Sequence, residues 1–161
     1  MHETPARRSV ADLMTPDPVT VRADDPLSEA VRLLDEHRIS GLPVIDNAGV
    51  LVGVVSNTDI LRARASAHLW GNWPGLAVRH VMTQPAIHVL PSTSIDEAAR
   101  LMDRDRVHRL VVVADEDRRR PIGVIGVSDI VRSVAEDQQS MLRTAHAAGD
   151  ASGENGSGRA G

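Results

Sequence analysis

The amino-acid sequence predicts an α/β (α+β) protein made of two copies of one β-α-β-β-α unit. Three observations predict it. A shift of 68 residues superposes Met14 on Met82, Val21 on Val89, Glu29 on Glu97, Ala30 on Ala98, Leu33 on Leu101, Arg38 on Arg106, Leu42 on Leu110 and Val44 on Val112. Two extra residues in the turn Asp115–Arg120 raise the shift to 70, and Gly53-Val-Val-Ser-Asn-Thr-Asp-Ile-Leu-Arg62 returns as Gly123-Val-Ile-Gly-Val-Ser-Asp-Ile-Val-Arg132. Within each copy, the apolar spacing changes from a helical stripe to short Val/Ile-rich runs. Leu27, Ala30, Val31 and Leu34 fall at i, i+3, i+4 and i+7, and Ile95, Ala98, Ala99 and Met102 repeat them.

In chain order, residues 1–9 are polar and proline-interrupted, a flexible arm. The first unit spans 10–66. It has a strand around Val19–Val21, a helix over Pro26–Arg38, strands at Leu42–Ile45 and Val50–Val55, and a closing helix from about Thr58 to Ser66. The second unit, 78–135, repeats this order: Ile87–Val89, Ile95–Arg106, Leu110–Ala114, Ile122–Ile125, and a closing helix from about Ser128 that extends over 136–146. Asp25-Pro26 reads as a capping acid before a first-turn proline, and Ser94 with Glu97 as a capping box. Near-continuous Val and Ile in the paired strands imply burial on both faces. Residues 67–77 form a linker holding Trp70 and Trp73; 147–161 carry Gly, Ala, Ser and charge without apolar period, a disordered tail.

Composition excludes much chemistry. All 18 basic residues are Arg, so there is no P-loop lysine and no Schiff base. Without Phe or Tyr there is no aromatic platform for stacked bases, and any base must lie between aliphatic side chains. Cysteine is absent, which removes disulfides and thiolate metal sites and implies a reducing, cytoplasmic setting. No secretory signal or membrane-spanning run is visible, and a formal charge of −4 argues against a general nucleic-acid binder. The histidines form no cluster with acids of the kind that would suggest a metal, so no metal site is expected. Arg118-Arg119-Arg120 reads as a solvated turn, and no G-x-S-x-G elbow supports a hydrolase.

The duplicated unit, with G-x-x-S-x-x-D at its last strand-to-helix junction, resembles the tandem CBS domain, named for cystathionine β-synthase and also called the Bateman-type module. The resemblance covers residues 10–135. Val107-His-Arg-Leu-Val-Val-Val113 is similar to the adenylate-binding repeats of the AMP-activated protein kinase regulatory subunit, and Arg38-Ile-Ser-Gly-Leu-Pro-Val-Ile-Asp46 is the equivalent first-copy segment. The resemblance implies two CBS repeats packed sheet-to-sheet with pseudo-twofold symmetry, and a cleft offering two sites for AMP, ADP, ATP or another adenosyl ligand such as S-adenosylmethionine or NAD. It further implies a stand-alone bacterial-type module that is not an enzyme, requires no cofactor, forms a homodimer and regulates an unknown effector protein.

The same resemblance places one nucleotide-binding site on Ser56, Thr58, Asp59 and Ser40 with Thr93, Ala98, Val107 and His108. It places the other on Ser128, Asp129, His108 and Arg109 with Asp25, Ala30, Ile39 and Ser40. A carboxylate suits ribose because it accepts from both hydroxyls, and Arg109 suits phosphate as a bidentate donor. Ala30, Ala98, Ile39 and Val107 would form an apolar slot for adenine, or simply pack the core. Each aspartate could equally be a first-turn cap. Gly126 replaces Ser56, which removes the reciprocal cap, and Ser40-Gly41 stands where the other copy has His108-Arg109. Unequal clefts are therefore expected. Competing readings are a protein-interaction module with vestigial clefts and a nucleic-acid-binding module.

Overall fold

A computed structural model of the chain describes residues 7–71, 73–117 and 119–151. The expected arm over 1–6, the tail over 152–161 and the reading of Arg118 fall outside the described residues.

Each repeat builds a small sheet from its own strands. In the first, β2 (Val21–Arg22), α2 (Leu27–Glu36), β3 (Gly41–Ile45) and β4 (Leu51–Ser56) form a sheet of order β2-β3-β4, followed by α3 (Asn57–Ala65). In the second, β5 (His88–Val89), α5 (Ile95–Asp105), β6 (Arg109–Val113) and β7 (Pro121–Gly126) repeat that order before α6 (Val127–Asp150). β2 runs parallel to β3 and β5 to β6, because a helix makes each crossover. β3–β4 and β6–β7 are antiparallel hairpins with register shifts at the equivalent places Val44/Ile45 and Val112/Val113. β3 and β6 are buried almost throughout, as their Val-rich sequence implies; β4 and β7 alternate instead. The helical stripes bury Leu27, Ala30 and Leu34 of α2, and Ala98 and Met102 of α5.

The lead-in segments exchange places. α1 (Val10–Leu13) and β1 (Thr15–Pro16) open the first repeat in sequence, yet β1 pairs antiparallel with β7 of the second. Thr83, leading into the second repeat, pairs with Val54 of β4: the Val54 amide donates to the Thr83 carbonyl at 2.9 Å and the Thr83 amide returns the bond at 2.8 Å. The Val10 amide donates to the Thr93 carbonyl at 2.8 Å, and the Val78 amide to the Asp25 carbonyl at 2.9 Å. Val10 is buried in the second repeat's core and Leu76 and Val78 in the first's. Glycine admits these crossings. A Cβ on Gly53 would lie 2.8 Å from the Thr83 carbonyl oxygen, and one on Gly123 2.8 Å from Met14 Sδ.

Several expectations need correction. Asp25 does not cap α2; Pro26 stands at the cap with no side-chain bond, and Asp25 Oδ2 accepts from the Arg22 amide at 3.0 Å. Ser94 Oγ accepts from the Glu97 amide at 3.1 Å, one half of the expected box. α6 does not end near 146 but continues through Asp150, because nothing in Ala145–Ala148 breaks a helix. Residues 147–150, expected in the tail, are thus helical. The end of the arm is tied down: the Arg8 carbonyl accepts from the Ile95 amide at 3.2 Å, and its guanidinium donates to Glu136 at 2.7 Å. The linker contains a short helix, α4 (Ala67–Gly71), with the Trp70 and Trp73 rings 4.3 Å apart and Arg64 over Trp70.

Candidate functional site

Asp59 and Asp129 occupy the same position, the third residue of the helix that follows the last strand. Each closes the helix start identically: the Ser56 amide donates to Asp59 Oδ2 and the Gly126 amide to Asp129 Oδ2, both at 2.8 Å. The substitution of Gly126 for serine therefore removes only the hydroxyl half of the cap. This corrects the sequence reading, in which the reciprocal bond was lost; that bond runs from the Gly126 amide to the Asp129 carboxylate and needs no side chain at position 126.

Beyond that shared bond the two diverge. Asp59 is 3% exposed, and the Ser56 hydroxyl donates to its Oδ2 at 3.0 Å. The Thr83 hydroxyl donates to Oδ1 at 2.8 Å, and Arg62 stands 3.4 Å away. Asp129 lacks both hydroxyl partners; Oδ1 takes Arg132 at 2.6 Å, and the side chain faces a cavity. Asp59 is a committed cap, whereas Asp129 is a cap with an open side.

That cavity, about 710 Å³, has walls from both repeats. Val31, Leu34, Ile39 and Ile60 supply apolar surface from the first; Val124, Gly126, Ser128 and Asp129 come from the second; Thr15, Asp17, Pro18 and Val19 form a rim. Its volume is in the range that holds small-molecule ligands. Arg109, at the start of β6, reaches across the pseudo-axis to donate to Ser40 Oγ. It lies over Gly41, its own counterpart in the first repeat: a Cβ there would stand 2.7 Å from Arg109 Nη1 and 3.0 Å from Cδ. Among the described residues no carboxylate lies within ion-pair distance of Arg109. Partial burial pulls its pKa below the usual arginine value by desolvation. A guanidinium held part-buried without a counter-ion favours an incoming anion.

A second cavity of about 430 Å³ is lined by Met102, Arg106, Val107, His108, Val127 and Ile130 with their neighbours, all from the second repeat. These echo Leu34, Arg38, Ile39, Ser40, Asn57 and Ile60 of the first cavity, but no first-repeat wall faces them. The predicted site residues are thus distributed unevenly. Ile39, Ser40, Arg109, Ser128 and Asp129 meet in the larger cavity; Val107 and His108 line the smaller. Ala30 and Ala98 are fully buried in the two cores, Thr58 is exposed, and Ser56 and Asp59 are spent on the α3 cap. Asp25 and Thr93 are equivalent turn-formers, Thr93 Oγ1 accepting from the Leu90 amide at 3.1 Å. Sequence reasoning missed Asp17, Asp35 and Arg38 on the cavity wall, and the role of Gly41. The one available signal was that Gly41 is the echo of Arg109.

Two β-α-β-β-α repeats that exchange lead-in segments about a pseudo-twofold axis and enclose a cavity between them define a tandem-repeat, ligand-cleft type of module. The chain belongs to the CBS domain family, whose model matches residues 10–66 and 78–136. Among solved structures it is similar to CBSX2, a CBS-pair protein from Arabidopsis thaliana, with 31% identity and a TM-score of 0.70 over 83% of this chain and 99% of that one. CBSX2 is also known in complex with AMP. The CBS domain pair of protein MJ0100, in complex with 5′-methylthioadenosine and S-adenosyl-L-methionine, is 27% identical with a TM-score of 0.72, over 81% of this chain and 98% of that one. Inosine-5′-monophosphate dehydrogenase of Methanocaldococcus jannaschii is 31% identical over 92% of this chain, but only 29% of the relative's length. The corresponding enzyme of Bifidobacterium longum is 34% identical over 89% of this chain and 26% of its own length. The chain thus spans under a third of these curated relatives.

Proposed function

We propose that the chain is a regulatory module that binds one adenosyl ligand of the AMP class in the larger cavity and signals through the relative placement of its repeats. The observation that carries this reading is that the part-buried Arg109, without an ion-pair partner among the described residues, and Asp129 line one cavity walled by both repeats. Asp129 would accept from ribose hydroxyls on releasing Arg132, with Ser128 beside it. Arg109 would receive phosphate, and Val31, Leu34, Ile39 and Ile60 would clasp adenine in place of aromatic rings. Asp17 and Asp35 on the same wall disfavour a polyphosphate, so AMP should bind more tightly than ADP or ATP. CBSX2 with AMP, and the MJ0100 pair with its adenosyl ligands, support an adenosyl class. S-Adenosylmethionine and NAD belong in the same panel.

A ligand touching both walls stabilises the arrangement that brings them together, which is a population shift. A second copy of the chain and an effector protein complete the reading; the chain performs no catalysis of its own. Among the described residues no helix is long and apolar enough to cross a membrane. The test is titration calorimetry with AMP, ADP, ATP, S-adenosylmethionine and NAD. One AMP per chain is expected, lost in Asp129→Ala and kept in Asp59→Ala; no binding of any ligand at millimolar concentration sinks the reading. The closed Asp59 side favours one rival, an interaction module with vestigial clefts. A melting temperature unmoved by the whole panel would support that rival.

A further inference from the structure

Among the described residues, three other than glycine adopt a left-handed backbone: Asp17 at φ 52°, Arg38 at 54° and Arg106 at 55°. A side chain makes that conformation costly, and glycine is the residue that relieves it. All three line a cavity, Asp17 and Arg38 the larger one and Arg106 the smaller. Strain kept at a cavity wall points to what the side chain does there. Arg38 and Arg106 are echoes of each other in one and the same turn. α2 ends with the Arg38 amide donating to the Asp35 carbonyl at 3.3 Å and the Ile39 amide to the Leu34 carbonyl at 3.2 Å. α5 ends with the Val107 amide donating to the Met102 carbonyl at 3.1 Å. Such a helix stop ordinarily takes glycine at its left-handed position. No structural partner explains the arginines. Among the described residues no carboxylate stands within ion-pair distance of either guanidinium, not even Asp35, one turn before Arg38.

We propose that Arg38 is a specificity-determining residue of the larger cavity, joining Arg109 on the anionic group of the ligand. The proposal rests on the reading of that cavity as a ligand site and adds to it a second cation. Arg109 belongs to the second repeat and Arg38 to the first, so a phosphate held by both is gripped from the two repeats at once. Two guanidiniums match a phosphomonoester, which carries about two negative charges at neutral pH. Further phosphates would meet Asp17 and Asp35 on the same wall. Adenosine offers the pair no anion, and S-adenosylmethionine brings a net positive charge. The turn after α2 sets Leu34, Arg38 and Ile39 on one wall, so apolar surface and cation come from a single helix stop. Arg106 keeps the same backbone in a cavity lined by the second repeat alone, and it therefore separates the turn from the site.

The test uses the full chain and three variants, Arg38→Gly, Arg38→Lys and Arg106→Gly. Without ligand, the midpoint of thermal unfolding should rise by about 2–4 °C in both glycine variants, which relieve the same backbone. Calorimetry should show AMP affinity falling about 10-fold or more in Arg38→Gly, by less in Arg38→Lys, and not at all in Arg106→Gly. Adenosine should bind all three as it binds the parent. Lost affinity in a more stable variant marks a side chain kept for binding against the preference of its own backbone. An AMP to adenosine ratio that stays constant in Arg38→Gly overturns the proposal and leaves the ligand reading intact. An equal loss of AMP affinity in Arg106→Gly, or a midpoint that fails to rise in Arg38→Gly, overturns it in the same way. A parent that binds neither AMP nor adenosine overturns the ligand reading and the proposal with it.

Discussion

The Gly41→Ala variant tests whether an absent side chain shapes the site. Gly41 is buried and its φ is not in the left-handed region, so the backbone itself accepts alanine. The three atoms nearest the added methyl all belong to Arg109, with Nη1 at 2.7 Å, Cδ at 3.0 Å and Nε at 3.1 Å. A flexible side chain yields more readily than backbone, so Arg109 should swing away, lose Ser40, and leave the fold intact. The cavity then loses its unpaired cation. A hydrogen bond to a charged group contributes about 1.5–3 kcal/mol, which corresponds to a loss of roughly 10- to 150-fold in AMP affinity. Adenosine, which lacks the phosphate, should bind the variant as it binds the parent. Calorimetry with AMP and adenosine on parent, Gly41→Ala and Arg109→Ala provides the comparison. The reasoning is refuted if AMP and adenosine weaken together, since Gly41 would then act through cavity shape. It is equally refuted if the AMP to adenosine ratio stays constant in both variants.

Asp59→Ala should destabilise the protein by about 1–2 kcal/mol, because it removes the carboxylate to which the Ser56 amide and the Thr83 hydroxyl donate at the start of α3; urea denaturation reads this, and an unchanged midpoint would contradict it. Gly53→Ala and Gly123→Ala should each cost about 1–3 kcal/mol. A Cβ on Gly53 would press on the Thr83 carbonyl at 2.8 Å and Met82 Sδ at 3.0 Å, and one on Gly123 on Met14 Sδ at 2.8 Å and the Thr15 carbonyl at 3.0 Å, so unchanged melting temperatures would count against the crossings as described. Gly149→Ala, where nothing lies within 4 Å, should instead raise α6 helicity, with a gain of up to about 1 kcal/mol; an unchanged far-UV circular dichroism spectrum would argue against a formed helix there.

Much of the fold was legible because it is written twice. Periodicity located α2 and α5, and Val-rich runs located β3 and β6, since burial imposes composition locally. Boundaries moved where a local rule met a stronger competitor. Asp25 looked like a cap, but its carboxylate closes the preceding turn on Arg22, as Thr93 does on Leu90. The exchange of lead-in segments was not legible. Pairing of β1 with β7 joins residues more than a hundred apart, and a repeat in sequence cannot say whether a segment packs on its own copy or on the other. The echo of Gly53 in Gly123 is the trace it left, visible as a pair of glycines without a stated reason until the crossing chains stand against them.

The site follows the same logic with the opposite outcome. Duplication makes two aspartates look equivalent, and at the level of the helix cap they are, to the same 2.8 Å bond. What separates them is what duplication did not keep. Ser56 and Thr83 hold Asp59 inside the fold, while their counterparts Gly126 and Thr15 give no hydroxyl bond to Asp129 and leave its side to the cavity. On the other wall, His108-Arg109 became Ser40-Gly41, which in sequence resembles an impoverished phosphate site. In space it is the opening through which Arg109 crosses the pseudo-axis, with Ser40 as its partner. The residues that break the repeat therefore act together. One cleft is closed by hydroxyls, the other is furnished with an arginine, and the asymmetry of the pair is the physical basis for expecting one ligand per chain rather than two.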